Sequence, residues 1–328
     1  MKDTMRAIVV DRPGGIEVLE VQDDWPRPPV ISGRVLIRVM AFGVNRGELY
    51  TRLGHSPTVQ FPRVLGIECA GIVEKAPDTP FEPGQTVVAT THGMGRAYDG
   101  AYAEFVSVPM AGVHAVSTPL SWQQLAAAPE VFHTAWGGLI PSLNIQKGQS
   151  VLVRGGSSAV GLVAANFASG MGVNVLSTTR SEKKIKLLKG FGATSVIIDR
   201  GEIAPTVREE VSHGVDAMFD LVGTPVLADS FACIRAGGTL CMAGMLSGEW
   251  NIENFMPGAV IPSTTKFTYF SSSSTPMPTH ALQGYLDGIL DGKYRMPLDR
   301  VFQFNEIRDA HAYMESNKAS GKVVVSVV

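Results

Sequence analysis

The chain has 328 residues, 45% of them hydrophobic and 18% charged, with a formal net charge of -2. That balance describes an ordinary globular protein, large enough for two domains, and excludes a disordered chain. It carries no basic surplus for nucleic acid or an anionic membrane, so a small neutral partner is expected. The three cysteines, Cys69, Cys233 and Cys241, show no metal-ligand spacing and read as buried free thiols of a reducing compartment. The N-terminal MKDTMRAIVVDRPGG lacks an apolar leader, and no 18-residue apolar run occurs, so the expected location is cytoplasmic.

Residues 1 to about 120 alternate short β-type runs with Pro and Gly: RAIVV, VLEV, RVLIRVMAFGV, AGIVEKA, TVVAT and AEFVSVP. This spacing predicts a compact, partly barrel-like β domain. The texture changes at Ser121-Trp-Gln-Gln124, a capping box opening a helix that Pro129 stops. The expected boundary therefore puts residues 1–125 in a first domain and 126–274 in a second. A second helical stretch, Phe132 to Leu143, leads to SVLVRGGSSAVG at 150–161. There an apolar strand runs into a small-residue turn and then into a helix carrying Val163, Ala164, Phe167, Ala168 and Met171 at helical spacing.

That layout suits a dinucleotide, because a helix N-terminus presents unpaired N–H groups and small residues let a pyrophosphate approach. The candidate contacts are Gly155, Ser157, Ser158, Ala159, Val160 and Gly161. Against G-x-G-x-x-G, Gly156 and Gly161 fit, and Ser158 takes the middle glycine position. The next strand, NVLSTT at 174–179, ends without the Asp or Glu that would bind a ribose 2′-hydroxyl. Thr178, Thr179 and Arg180 stand there instead, followed by Lys184, and these residues favour NADPH over NADH. Arg180 and Lys184 have the alternative of belonging to a solvated, Lys-rich helix start.

Strands and helices then alternate through SVIID (195–199), DAMFDLVG (216–223), TLCMAG (239–244) and KFTYFSS (266–272). A helix is expected from the N-cap Thr224 and Pro225 to Gly237-Gly238, with Leu227, Phe231 and Ile234 on one stripe. The rhythm predicts an α/β fold with a doubly wound parallel sheet. Two more helices, from Thr279 to Asp291 and from Asn305, precede a closing strand KVVVSVV that is free to rejoin the first domain.

Taken together, AFGVNRGELYTRLG, LGIECAGIVEK, FEPGQTVVAT, DGAYAEFVSVP, HTAWGGL, VLVRGGSSAVG and ASGKVVVSV make the whole chain resemble the medium-chain dehydrogenase/reductase superfamily, in its zinc-free quinone oxidoreductase-like branch. The resemblance implies a GroES-like catalytic domain completed by residues 275–328, a Rossmann domain that binds NADPH, and a homodimer joined through the strand at Lys266 to Ser272. An apolar edge strand needs covering on independent grounds. By position the resemblance also adds Thr134, Ala243, Gly244 and Lys322 as cofactor contacts, with Lys322 reaching a phosphate; the alternatives are a helix-interior hydroxyl at Thr134, a plain turn at Ala243-Gly244 and a solvated lysine at Lys322.

Zinc alcohol dehydrogenases of this superfamily carry Cys where this chain has Asn45, His where it has Ile67, and a third ligand near Glu130. Asn is a poor zinc ligand and Ile is none, so a metal-free enzyme is expected. Without a metal, hydride transfer to a quinone or to the β-carbon of an enone is easier than reduction of a simple aldehyde. The catalytic candidates are Tyr50, Asn45 and Arg52. Tyr50 either donates a proton or hydrogen bond, or packs over the nicotinamide. Asn45 orients substrate or cofactor, and Arg52 either meets substrate or pairs with Glu48 at helical spacing. The alternatives are a zinc-type alcohol dehydrogenase and a non-enzymatic, crystallin-like NADPH-binding protein. Met245, Trp250, Phe255 and Met256 form either an apolar pocket wall or a satellite of the core.

Overall fold

Pairing of the predicted strands produces three sheets in the computed structural model, which describes residues 3–253 and 255–328. Met1 and Lys2, at the start of the N-terminal stretch read above, lie outside the described residues. Two units separate: residues 1–130, 276–290 and 296–328 form one, and 131–275 with 291–295 form the other. The expected boundary after residue 125 thus falls after Glu130, and Asp291–Arg295, expected in the first unit, belongs to the second.

The first unit contains β1 (Thr4–Val10), β2 (Glu20–Pro26), β3 (Arg34–Val44), α1 (Arg46–Arg52), β4 (Arg63–Val64), β5 (Glu68–Lys75), β6 (Thr86–Thr90), β7 (Phe105–Pro109), β8 (Val113–Ala115) and α2 (Trp122–Ala126). Ser121 caps α2, and its hydroxyl accepts from the Gln124 amide as the capping-box pattern predicts. Proline at 129 then opens a helix as well as closing one, since α3 runs Pro129–Gly137 and continues into a π-helical turn to Ser142.

The second unit adds β9 (Ser150–Arg154), α4 (Ala159–Gly170), β10 (Asn174–Thr179), α5 (Ile185–Gly190), β11 (Ser195–Ile198), α6 (Ala204–Glu210), β12 (Val215–Asp220), α7 (Leu227–Ala232), β13 (Ile234–Met242), α8 (Pro257–Val260) and β14 (Lys266–Tyr269). The chain returns to the first unit with α9 (Thr279–Leu290), β15 (Leu298–Gln303), α10 (Ile307–Glu315) and β16 (Lys322–Ser326).

In the second unit all pairings are parallel, in the order β11-β10-β9-β12-β13-β14, the doubly wound arrangement that places ligands at strand C-terminal ends. Leu152, Leu176, Met218 and Leu240 on neighbouring strands bury one face against Phe231 of α7 and Val207 of α6. One expectation fails here. The helix foreseen up to Gly237-Gly238 stops at Ala232, and Ile234 already pairs with Val215 in β13. The two glycines lie within the strand where its register shifts, with Gly237 at φ +74°, so they make an irregular strand and not a helix end.

The first unit carries a small sheet, β2-β1-β4, and a larger one, β15-β16-β3-β5-β6-β8, with β7 paired to β3. The closing strand does return: β16 runs antiparallel to β3, with Val324 opposite Gly43, and parallel to β15. Ile8, Ile37, Phe42, Val87, Val106 and Val325 form the core beneath these sheets. At roughly 1.5–3 kcal/mol for each buried large aliphatic side chain, this burial supplies the main driving force.

Candidate functional site

The glycine loop begins where β9 ends. Gly155 takes φ +81°, a left-handed conformation that glycine accepts without strain, and its amide donates to Thr178 Oγ1 at 3.0 Å. Ser158 Oγ accepts from the Gly161 amide at 3.1 Å and donates to the Gly155 carbonyl at 2.8 Å, so Ser158 is the N-cap of α4. The residue that departs from the glycine fingerprint therefore has a structural task that any reading of the fingerprint alone misses. The Ala159 and Val160 amides of the first turn have no intrahelical partner by construction and stay available to a phosphate.

Space is tight around the loop. A Cβ on Gly161 would lie 2.6 Å from the Gly155 carbonyl oxygen, and one on Gly156 would meet Ser177 Oγ at 1.8 Å. These residues fit the pyrophosphate of a nicotinamide dinucleotide: a close-packed glycine turn, a capped helix start, and Ser157 half-buried beside them. At the end of β10, Thr179 is buried, its hydroxyl accepting the Ser181 amide at 3.2 Å, and Arg180 is exposed. Lys184 is half-buried in the turn Glu182–Lys184. Thr134 is buried in α3. Ala243 and Gly244 follow β13, and a Cβ on Gly244 would come within 2.7 Å of the Leu221 carbonyl oxygen. Met245 and Phe255 pack against the core of this unit, as a satellite cluster would, whereas Trp250 and Met256 are exposed.

In the first unit, Asn45 and Lys322 come together, and both differ from expectation. Asn45 caps α1 and closes a capping box with Glu48: its backbone amide donates to Glu48 Oε2 at 3.1 Å. Its side-chain amide donates to Glu68 Oε1 at 2.9 Å and to Glu48 Oε1 at 3.3 Å, and its Oδ1 accepts from Lys322 Nζ. Both amide hydrogens are engaged, so Asn45 has no donor for substrate, and its task is to hold α1. Lys322 is 2% exposed, and its ammonium sits 2.5 Å from Glu68 Oε1. The expected phosphate contact of Lys322 is replaced by this buried ion pair. Glu68 Oε2 accepts the Glu130 amide at 2.9 Å, and the Glu130 carboxylate accepts from Thr90 Oγ1 at 2.7 Å.

Arg52 is also corrected. Glu48 turns back to the helix start, where it accepts the Ile67 amide at 3.0 Å, and Arg52 pairs with Glu315 of α10 at 2.8 Å. At 1% exposure, Arg52 presents no guanidinium to a substrate. Its Nη1 approaches His311 Nδ1 at 3.4 Å, and His311 Nε2 lies 3.0 Å from Tyr102 Oη. Arginine only donates, so Nδ1 accepts and Nε2 carries the proton toward the tyrosine. Burial, reinforced by the Arg52 charge, pushes His311 down to about 3, and burial holds Tyr102 well above the ordinary phenol range. Tyr50, the third catalytic candidate, is half-buried and stacks on His55 with ring centroids 6.1 Å apart. Among the described residues, no three His, Cys, Asp or Glu side chains are grouped to hold a metal ion, and no helix is long and apolar enough to cross a membrane.

A doubly wound sheet with a glycine loop, accompanied by a β domain of this topology, defines a nicotinamide-dependent oxidoreductase of the dehydrogenase/reductase type. Residues 32–118 match the alcohol dehydrogenase GroES-like domain family, and residues 191–325 match the zinc-binding dehydrogenase family. The chain is 30% identical to mouse (Mus musculus) quinone oxidoreductase over 319 residues, covering 92% of this chain and 93% of the relative. It is 29% identical to the quinone oxidoreductase of Lama guanicoe over 334 residues, covering 98% and 97%. A mycobacterial protein solved in complex with NADPH superposes with a TM-score of 0.87 at 29% identity, covering 99% of this chain and 100% of that one. An NAD-dependent alcohol dehydrogenase superposes with a TM-score of 0.86 at 27% identity, over 99% and 100%. The chain belongs to the medium-chain dehydrogenase/reductase superfamily, in its quinone oxidoreductase-like branch.

Two measurements test this geometry. In Gly161→Ala the new methyl group meets backbone, so the loop must shift; dinucleotide affinity is expected to fall about tenfold or more, with about 1–3 kcal/mol lost from stability. Fluorescence titration and denaturant unfolding read both, and wild-type values would remove the close-approach argument. Glu48 concerns pH. Burial raises its carboxyl from 4.5 to about 7 against the lowering pull of the Ile67 amide and Lys322. The stability from that proton is fully present below 4.5 and lost as pH rises through about 7. Glu48→Gln cannot titrate, so its stability profile across this window should be flatter than that of the wild type.

Proposed function

We propose that the protein is an NADPH-dependent reductase that transfers hydride to a quinone or an α,β-unsaturated carbonyl without metal. Asn45 carries this reading. At a position where zinc dehydrogenases of the superfamily hold a thiolate, its carboxamide is engaged by Lys322, Glu68 and Glu48. Ile67, at the histidine position, offers no donor atom, and Glu130 is bonded to Thr90. That donor set suits Zn²⁺ poorly.

When bound, the nicotinamide supplies a hydride from C4. The protein must then stabilise charge that spreads over the acceptor, a task for hydrogen bonds where the acceptor is conjugated. Tyr50, on α1 behind the Asn45 cap, is the candidate donor. The pyrophosphate is held by the first-turn amides of α4 with Gly155, Ser157 and Gly161. Thr179, Arg180 and Lys184 receive the adenosine 2′-phosphate, and Thr134, Ala243 and Gly244 position the nicotinamide end. Arg180 provides a bidentate fork for the phosphate, and the absence of a carboxylate in the sequence 178–181 favours the same coenzyme.

The decisive assay follows oxidation of NADPH, with NADH in parallel, by chelator-treated protein against a quinone, a cyclic enone, a linear enone and a simple aldehyde. Turnover of the activated acceptors with NADPH preferred is expected, and Tyr50→Phe should lower kcat by about 10²-fold if its phenol is the proton donor. Aldehyde turnover restored by zinc would replace the proposal with an alcohol dehydrogenase. Binding of NADPH with no turnover would indicate a non-enzymatic, crystallin-like binding protein.

A cytoplasmic homodimer joined along β14 completes the proposal. This strand lies at the sheet edge, paired with β13, and Phe267 and Tyr269 on it are 38% and 56% exposed. Light scattering of the wild type should give twice the chain mass, and Tyr269→Asp should shift the population toward monomer; a monomeric wild type refutes the edge pairing.

A further inference from the structure

The last residue of β9 is an arginine with no exposed surface. Arg154 donates to Asp199 twice, Nε to Oδ2 at 2.9 Å and Nη2 to Oδ1 at 3.1 Å. Its other donors reach Asp229 Oδ2 at 2.8 Å, Ser230 Oγ at 2.9 Å, and the carbonyls of Gly201 at 2.7 Å and Val226 at 3.3 Å. A buried guanidinium is tolerated only with such complete partnership. Nothing in the glycine fingerprint requires an arginine here.

Asp199 stands in a sensitive place. It directly follows β11, whose Ile198 lies opposite Thr179 of β10, and its amide donates to the Thr179 carbonyl at 2.9 Å. The register thus sets Asp199 beside Arg180, at the strand ends where such sheets hold the adenosine ribose. A free carboxylate at that point would accept from ribose hydroxyls and repel a 2′-phosphate. Here its side chain is only 10% exposed. Burial by itself would raise its pKa, but the Arg154 hydrogen bonds, the Gly201 amide and the Arg154 charge outweigh burial and hold it below the usual carboxylate range. Thr178 bonds to the same carboxylate and accepts the Gly155 amide, so the clamp extends to the first glycine of the loop.

We propose that Arg154 is a positioning residue for coenzyme choice: it turns Asp199 inward and neutralises it, leaving Arg180 to meet a 2′-phosphate without a competing acid. This rests on the NADPH reading above. The side chain acts through Asp199 and has no contact with the coenzyme of its own.

Calorimetry with adenosine 2′,5′-bisphosphate and 5′-AMP, which differ only in the 2′-phosphate, tests the idea without turnover. The wild type should bind the bisphosphate more tightly; equal affinities would overturn the NADPH reading itself. Arg154→Met frees the carboxylate, and the ratio of the two affinities should fall about tenfold, as expected for a like charge placed against a phosphate. The double variant R154M/D199N should regain the wild-type ratio. Weakening of both probes by one factor in R154M, or no recovery in the double variant, would mean a scaffold role only and overturn the proposal. Should R154M not fold, Asp199→Asn alone decides: an unchanged ratio supports an acid already silenced, and a ratio raised about tenfold shows that Asp199 faces the ribose.

Discussion

The ion pair between Lys322 and Glu68 is the constraint on which the first unit depends. Lys322 opens β16 and Glu68 opens β5, and the two strands are separated in the sheet by β3. The side chains meet over Gly43 of β3, where an added Cβ would fall 2.2 Å from Glu68 Oε1 and 2.5 Å from Lys322 Cε. A glycine inside a strand usually weakens it; this one makes room for two buried charges to neutralise each other. Taking both ions out of water is expensive, and losing one partner typically costs about 3–5 kcal/mol because the other charge stays buried alone.

From that pair the site builds outward. Glu68 aligns the Asn45 carboxamide and the Glu130 amide, Asn45 caps α1, and α1 carries Tyr50. Positions that hold a metal in zinc dehydrogenases are thus tied into a network whose one cation is an ammonium on the closing strand. A second anchor, Arg52 with Glu315 and a neutral His311, fixes the far end of α1 to α10. The helix is pinned at both ends, so Asn45 and Arg52 of the stretch NRGELYTR hold α1 in place.

The second unit follows the same logic on a smaller scale. Arg154, Asp199, Asp229 and Ser230 join the ends of β9 and β11 to α7, and Ser230 donates to Asp220 at 2.6 Å at the end of β12. Asp220 in turn accepts the Val222 and Gly223 amides. Loops at the C-terminal ends of these strands are therefore set by buried charge beneath them as well as by glycines within them. Ser158 belongs to this picture, because a hydroxyl that caps α4 compensates for a glycine the fingerprint lacks.

What the sequence determined by itself was local in origin. Apolar periodicity, the Ser121 capping box and the strand–turn–helix at 150–161 all depend on neighbours within a few residues, so the parallel sheet and the glycine turn were legible before any coordinates. Tertiary structure alone decided the partners of the charged side chains. Helical spacing offered Glu48 to Arg52, yet the partner is Glu315; position offered a phosphate to Lys322, yet the partner is Glu68. Such pairings join residues up to hundreds of positions apart, and they are selected by desolvation and strand register, which leave no periodic mark in a sequence. The same holds for Gly237-Gly238, where pairing of Ile234 with Val215 overrode a plausible helix stop.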